Sequence, residues 1–119
     1  MTKRSFVHIE IPAGDRKAAA KFYGEMFGWE TQSMDEMNYT TFDDGKIGGG
    51  FNPLSDQIKP NDIIVYIDSA DIEADLKKIA ELGGAMVMPK TEIPGIGWFA
   101  FFSDPTGNIL ALYTSLNPS

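Results

Sequence analysis

The 119-residue sequence predicts an α+β fold of two tandem βαβββ modules forming a curled mixed sheet around a cleft. Three observations predict it. The chain repeats itself, since a shift of 56 residues carries Asp15 onto Asp71, Ala18 onto Ala74 and Gly28 onto Gly84. The same shift carries Ile9 onto Val65 and Ile11 onto Ile67, so the strand-like runs before the helices also correspond. Each helical stretch is followed by further strand signals. Module one covers about residues 5–52, a linker rich in proline and polar residues about 53–61, and module two about 62–115. The linker is short, so the modules form one domain.

Each element has a local cause. Phe6 to Ile11 and Ile63 to Ile67 are β-rich runs that end in polar turns. Asp15 and Asp71 then stand where a side-chain oxygen accepts the first free N–H groups of a helix. Apolar residues recur at helical spacing, Ala19, Phe22, Tyr23 and Met26 in one half and Ile72, Leu76, Ile79 and Leu82 in the other. Gly28 and Gly84 are the expected helix stops, because a left-handed residue there needs no Cβ. Strands are expected at Trp29 to Ser33, Tyr39 to Phe42 and Ile47 to Phe51, with Asp44-Gly45 as a turn. In the second half they are Ala85 to Met88, Trp98 to Phe102 and Asn108 to Thr114, with Asp104-Pro105-Thr106-Gly107 as a turn.

Composition narrows the function classes. With 43% hydrophobic and 12% aromatic residues the chain can fill a core without staples. There is no cysteine, which removes disulfides, thiolate metal sites and cysteine nucleophiles. Ten Lys and Arg against seventeen Asp and Glu, a net charge of −7, argue against a nucleic-acid partner. No apolar run approaches the roughly 18 residues of a membrane helix. Glu10 and other polar residues break any signal-like stretch after Lys3-Arg4. The expected location is therefore cytoplasmic, and the sequon Asn38-Tyr39-Thr40 carries no meaning there.

On four stretches the chain resembles the vicinal oxygen chelate superfamily, which includes glyoxalase I, extradiol dioxygenases and bleomycin resistance proteins. They are the His8 strand, Phe22-Tyr23 through Phe27-Gly28-Trp29, the Asp71 helix ending Leu82-Gly83-Gly84, and Ser103-Asp104-Pro105-Thr106-Gly107-Asn108. It is more closely similar to small glyoxalase-like proteins with Pro-Lys-Thr-x-Ile-Pro-Gly-x-Gly-Trp-Phe, here Pro89 to Phe99. The resemblance implies the glyoxalase/bleomycin resistance fold and a homodimer. In the family's metal enzymes it implies a divalent ion (Zn, Ni, Mn or Fe). That ion is held by His or Glu from the first strand, and Glu from the last strand, of each module.

Set residue by residue on this chain, the ligand pattern is depleted. His8 fills the first-strand position of module one, while its repeat mate is Ile64. The last-strand positions fall near Gly48-Gly49-Gly50 and on Ala111. His8 is thus the surviving family ligand, and the expected cofactor is none, with a divalent metal as the alternative. Glu10, two residues along the strand, shares the face of His8, so the two are candidate acid–base groups.

If Asp104 to Gly107 is a tight turn, Phe102 opposes Ile109, Ala100 opposes Ala111 and Trp98 opposes Tyr113. With Ala111 marking the cleft, the candidate ligand-binding residues are Trp98, Phe102, Ala111 and Tyr113, together with Tyr66. Phe99, Phe101, Leu110 and Leu112 then face the helix. The expected function is small-molecule binding, an aromatic or cationic ligand held in a cleft with a degenerate metal site. Two alternatives stand beside it. One is a metal-dependent lyase or isomerase resembling glyoxalase I with an altered ligand set. The other is a non-enzymatic accessory protein that binds another chain.

Overall fold

The computed structural model describes residues 3–116. In chain order the elements are β1 (Phe6–Ala13), α1 (Arg16–Phe27), β2 (Glu30–Met34), a 3-10 turn (Asp35–Met37), β3 (Tyr39–Asp43) and β4 (Gly48–Pro53). Then follow β5 (Ile64–Asp68), α2 (Ile72–Glu81), β6 (Ala85–Ile93), β7 (Gly97–Ser103) and β8 (Ile109–Ser115). The βαβββ order thus occurs twice, as the repeat requires. No described helix is long and apolar enough to cross a membrane. The chain divides into two compact units, His8–Ile64 and a second that runs from Val65 and takes in the residues before His8.

In the His8–Ile64 unit the strand order is β2-β3-β4-β1. β1 runs parallel to β4, with Glu10 beside Gly50 and Pro12 beside Asn52. The β2–β3 and β3–β4 pairs are antiparallel. Parallel pairing of β1 with β4 needs a long crossover, and α1 lies within it. Asp15 caps α1 by accepting from the N–H groups of Lys17 at 3.0 Å and Ala18 at 3.1 Å. Gly28 ends the helix in the left-handed conformation, φ 74°. The core under α1 is aromatic. Ala13, Phe42 and Phe51 are buried, with Ile9, Ile11, Ala19, Tyr23 and Trp29 packed on them. Trp29 stacks between Tyr23 and Phe42, with ring centroids 4.8 and 4.6 Å away. Ile9, Ile11 and Ala13 therefore point to α1, and strand alternation turns His8 and Glu10 to the open face.

Two expectations about this helix change. Ala19 and Tyr23 pack as their spacing suggests, but Phe22 and Met26 are exposed. The unit needs only a narrow stripe of α1, because Tyr23 and Trp29 already cover Phe42 and Phe51.

In the second unit the strand order is β5-β8-β7-β6, with β5 parallel to β8 and the β6–β7 and β7–β8 pairs antiparallel. Ile72, Leu76, Ala100, Phe102 and Leu112 form its core, with Ile67, Ile79, Trp98 and Leu110 against them. Asp71 caps α2 through the Ala74 N–H at 3.0 Å. The left-handed residue after α2 is Gly83, φ 98°, not Gly84. Gly84 instead donates its N–H to Ile79 O at 2.9 Å and lies too close to Ser103 O and Ile79 to carry a Cβ. Leu82 is exposed. Arg4 ties the N-terminal segment to this unit through Asp75 at 2.5 Å, and Asp75 also accepts from Ser69 Oγ.

The β7–β8 register differs by one residue from the tight-turn expectation. Phe101 opposes Ala111, Phe99 opposes Tyr113 and Trp98 opposes Thr114. The cause is the loop. Asn108 stays in it, and the Asp104 carboxylate accepts from the backbone N–H groups of Thr106, Gly107 and Asn108. That single extra residue exchanges the faces of β7. Trp98 and Phe102 consequently lie on the α2 side with the core, and Phe99 and Phe101 lie on the open face.

Candidate functional site

The open face of the His8–Ile64 unit carries a connected polar cluster. His8 Nε2 lies 2.8 Å from Tyr39 Oη, and Tyr39 Oη donates to Glu10 Oε2 at 3.1 Å. Asn52 Nδ2 donates to the other oxygen, Glu10 Oε1, at 3.3 Å. With the Tyr39 hydroxyl donating its proton toward Glu10, the network assigns the His8 proton to Nε2, which donates to Tyr39 Oη. Imidazole, phenol, carboxylate and carboxamide thus form one chain drawn from β1, β3 and β4.

The glycine run explains why the chain closes. A Cβ on Gly50 would occupy the space of the Tyr39 ring and hydroxyl. A Cβ on Gly49 would strike Phe42 and the Ile9 carbonyl on the other face. Glycine inside a strand here marks close approach from both sides. Tyr39 is also set from α1, since Arg16 Nη1 donates to Tyr39 O and to Thr40 Oγ1, each at 2.9 Å. The same guanidinium reaches Asp35 Oδ1 in the 3-10 turn at 3.5 Å.

Burial holds the His8 imidazole below its ordinary pKa of 6.5. The unfolded chain therefore takes up this proton at a higher pH than the folded one. Stability is expected to fall as pH drops from 6.5 toward the folded value, and His8→Gln is expected to remove that part of the fall. Urea unfolding at about pH 7.5 and about pH 5.5 checks this. An identical pH response in the variant would contradict it.

Of the residues expected to bind ligand, Tyr66, Ala111 and Tyr113 share the sheet face of the second unit that points away from α2, where Tyr66 and Ala111 are buried and Tyr113 is half-buried. Tyr66 and Ala111 are paired neighbours, and Tyr113 follows on β8 at the same alternation. Phe101 joins them, 6.4 Å from Tyr66 and 5.3 Å from Phe99 between ring centroids. Trp98 and Phe102 do not join them. Phe102 is part of the buried core, and Trp98 packs on that core with Lys90 Nζ 5.3 Å from its ring.

The positions that the resemblance assigns to metal ligands can each be placed within their own unit. His8 and Glu10 are bonded through Tyr39, Gly48 to Gly50 offer no side chain, and Ala111 is fully buried. Among the described residues no group of three or more His, Cys, Asp or Glu side chains comes together.

Sequence reasoning missed Tyr39 and Asn52. The available signal was Gly48-Gly49-Gly50, which in a strand asks what fills the missing side-chain space.

Two βαβββ units with a first-strand histidine on the open face define a glyoxalase-type fold, and the comparisons with known proteins agree. The model of the bleomycin resistance protein-like N-terminal family matches residues 5–45. A glyoxylase-like domain-containing protein of Didymella fabae is 30% identical over 115 residues, covering 89% of this chain and 90% of its own. The chain belongs to the glyoxalase/bleomycin resistance group of the vicinal oxygen chelate superfamily. The anthracycline biosynthesis protein DauV of Streptomyces sp. (strain C5) is 29% identical over 88% of the chain. The match spans 45% of that relative, so the chain corresponds to less than half of it. Among solved structures, a glyoxalase/bleomycin resistance protein/dioxygenase superfamily member from Vibrio splendidus 12B01 superposes with TM-score 0.68. It is 12% identical and covers 95% of this chain and 100% of its own, a likeness of fold.

Proposed function

We propose that this protein binds a small aromatic or cationic molecule at the polar cluster of its His8–Ile64 unit, without a resident metal ion. The observation that carries the reading is the His8–Tyr39–Glu10–Asn52 cluster. It places a phenol, seated on glycine, between the two side chains that would otherwise begin a chelate. The cluster brings one carboxylate and no Lys or Arg side chain, and burial favours the neutral form of His8, which suits a cation. The half-buried rings of Phe99 and Phe101 in the second unit, 5.3 Å apart between centroids, suit flat rings. The name of the Streptomyces relative, which ties that protein to anthracycline biosynthesis, points to the same ligand chemistry. The working form under this reading is a cytoplasmic homodimer.

Calorimetry with acridine orange, a planar cationic dye, tests the reading. Saturable binding at one site per chain is expected, weakened about tenfold by Tyr39→Phe, which removes the hydroxyl joining His8 and Glu10. No saturable binding would overturn it. A second reading, proton transfer by His8 and Glu10 as acid and base, is favoured by the unbroken hydrogen-bond chain between them. Turnover of a substrate by metal-free protein, lost in His8→Ala, would select it.

A further inference from the structure

Asn52 carries a polar atom that the fold does not use. The residue is 8% exposed, and its Oδ1 is a buried acceptor without a hydrogen-bond partner among the described residues. Its orientation is determined by chemistry. Turned over, the carboxamide would set its oxygen against the Glu10 carboxylate, acceptor against acceptor. Buried acceptors are nearly always paired, so an unpaired one beside a polar cluster on an open sheet face marks a place for a donor. Strand alternation puts Asn52 on the face of Gly50 and Glu10, two strand positions from the glycine that seats Tyr39. Arg16, the arginine of this unit, is committed to Tyr39 O and Thr40 Oγ1.

We infer that Asn52 is a specificity-determining residue, and that its Oδ1, beside the Glu10 carboxylate, receives an N–H of a ligand's primary ammonium group. This rests on the small-molecule-binding reading above and names the ligand chemistry of that site. An ammonium group has three donors and a positive charge, which matches a carboxamide oxygen next to a carboxylate. A quaternary ammonium keeps the charge and has no donor.

The test compares naphthylmethylammonium with its N-trimethyl analogue on the isotope-labelled full chain by NMR titration. The Asn52 side-chain amide signal is identified by its loss in Asn52→Asp. The primary ammonium is expected to bind about tenfold tighter than the trimethyl probe and to move that signal. Asn52→Ala should level the two affinities. The wild-type comparison stands even where a variant fails to fold. Equal affinities with an unmoved Asn52 signal would overturn the inference and leave the binding reading intact. Failure of both probes where acridine orange binds would do the same. Failure of acridine orange as well would overturn the binding reading and this inference together.

Discussion

Alanine at position 49 is expected to destabilise the His8–Ile64 unit by about 3 kcal/mol, the upper range for forcing extra volume into a packed strand. The added Cβ meets the Ile9 carbonyl and the Phe42 ring at once. The carbonyl belongs to the parallel partner strand, and Phe42 is 5% exposed within the core. Neither yields without moving β1 or β3. The same change one residue later has a different outcome. At Gly50 the Cβ meets the outer end of Tyr39, a side chain that can swing away. Gly50→Ala should therefore cost about 1 kcal/mol and expel the phenol from between His8 and Glu10. Chemical denaturation and dye binding separate the two variants. Gly49→Ala should lose stability first, whereas Gly50→Ala should stay folded and bind as weakly as Tyr39→Phe. Equal stability losses would contradict this division of labour.

Phe51→Ala is expected to cost about 4 kcal/mol, the range for removing a buried aromatic ring and leaving a cavity. Phe51 is fully buried, with ring centroids 5.4 Å from Tyr23 and 5.0 Å from Phe42. Its loss leaves the stack from Tyr23 through Trp29 to Phe42 without a floor. Phe22→Ala, one residue before Tyr23, should stay within about 0.5 kcal/mol because that ring is exposed. Urea midpoints of the two variants check the contrast. A large loss from Phe22→Ala would show that the exposed side of α1 is covered in solution.

The contrast between Phe51 and Phe22 shows what sequence reading reached. The repeat, the Asp caps and the turn residues act locally, so they were legible and the βαβββ order followed from them. Periodicity marks a helical face but not how much of it is covered. Phe22 and Met26 therefore read as core, and Tyr23 alone of the three packs inward. The faces of β7 depended on one loop residue. Asn108 is held in the loop by the Asp104 carboxylate, a contact that spacing alone does not reveal, and it moved Trp98 and Phe102 to the helix side. His8 and Glu10 were visible because alternation on one strand puts them together. Tyr39 and Asn52 come from other strands, and only the pairing of β3 with β4 and of β4 with β1 brings them alongside. The glycine run read as lost ligands, and in the fold it is the seat of the Tyr39 ring.

Under the proposed reading, ligand binding at the His8, Tyr39, Glu10 and Asn52 cluster needs no resident metal ion. The most direct measurement is dye affinity by calorimetry on protein stripped with chelator, before and after adding zinc or nickel, with metal content determined on the same samples. One unchanged affinity throughout and no stoichiometric metal are expected. Metal bound at one ion per chain, lost in His8→Ala, with affinity rising when it is restored, would contradict that reading.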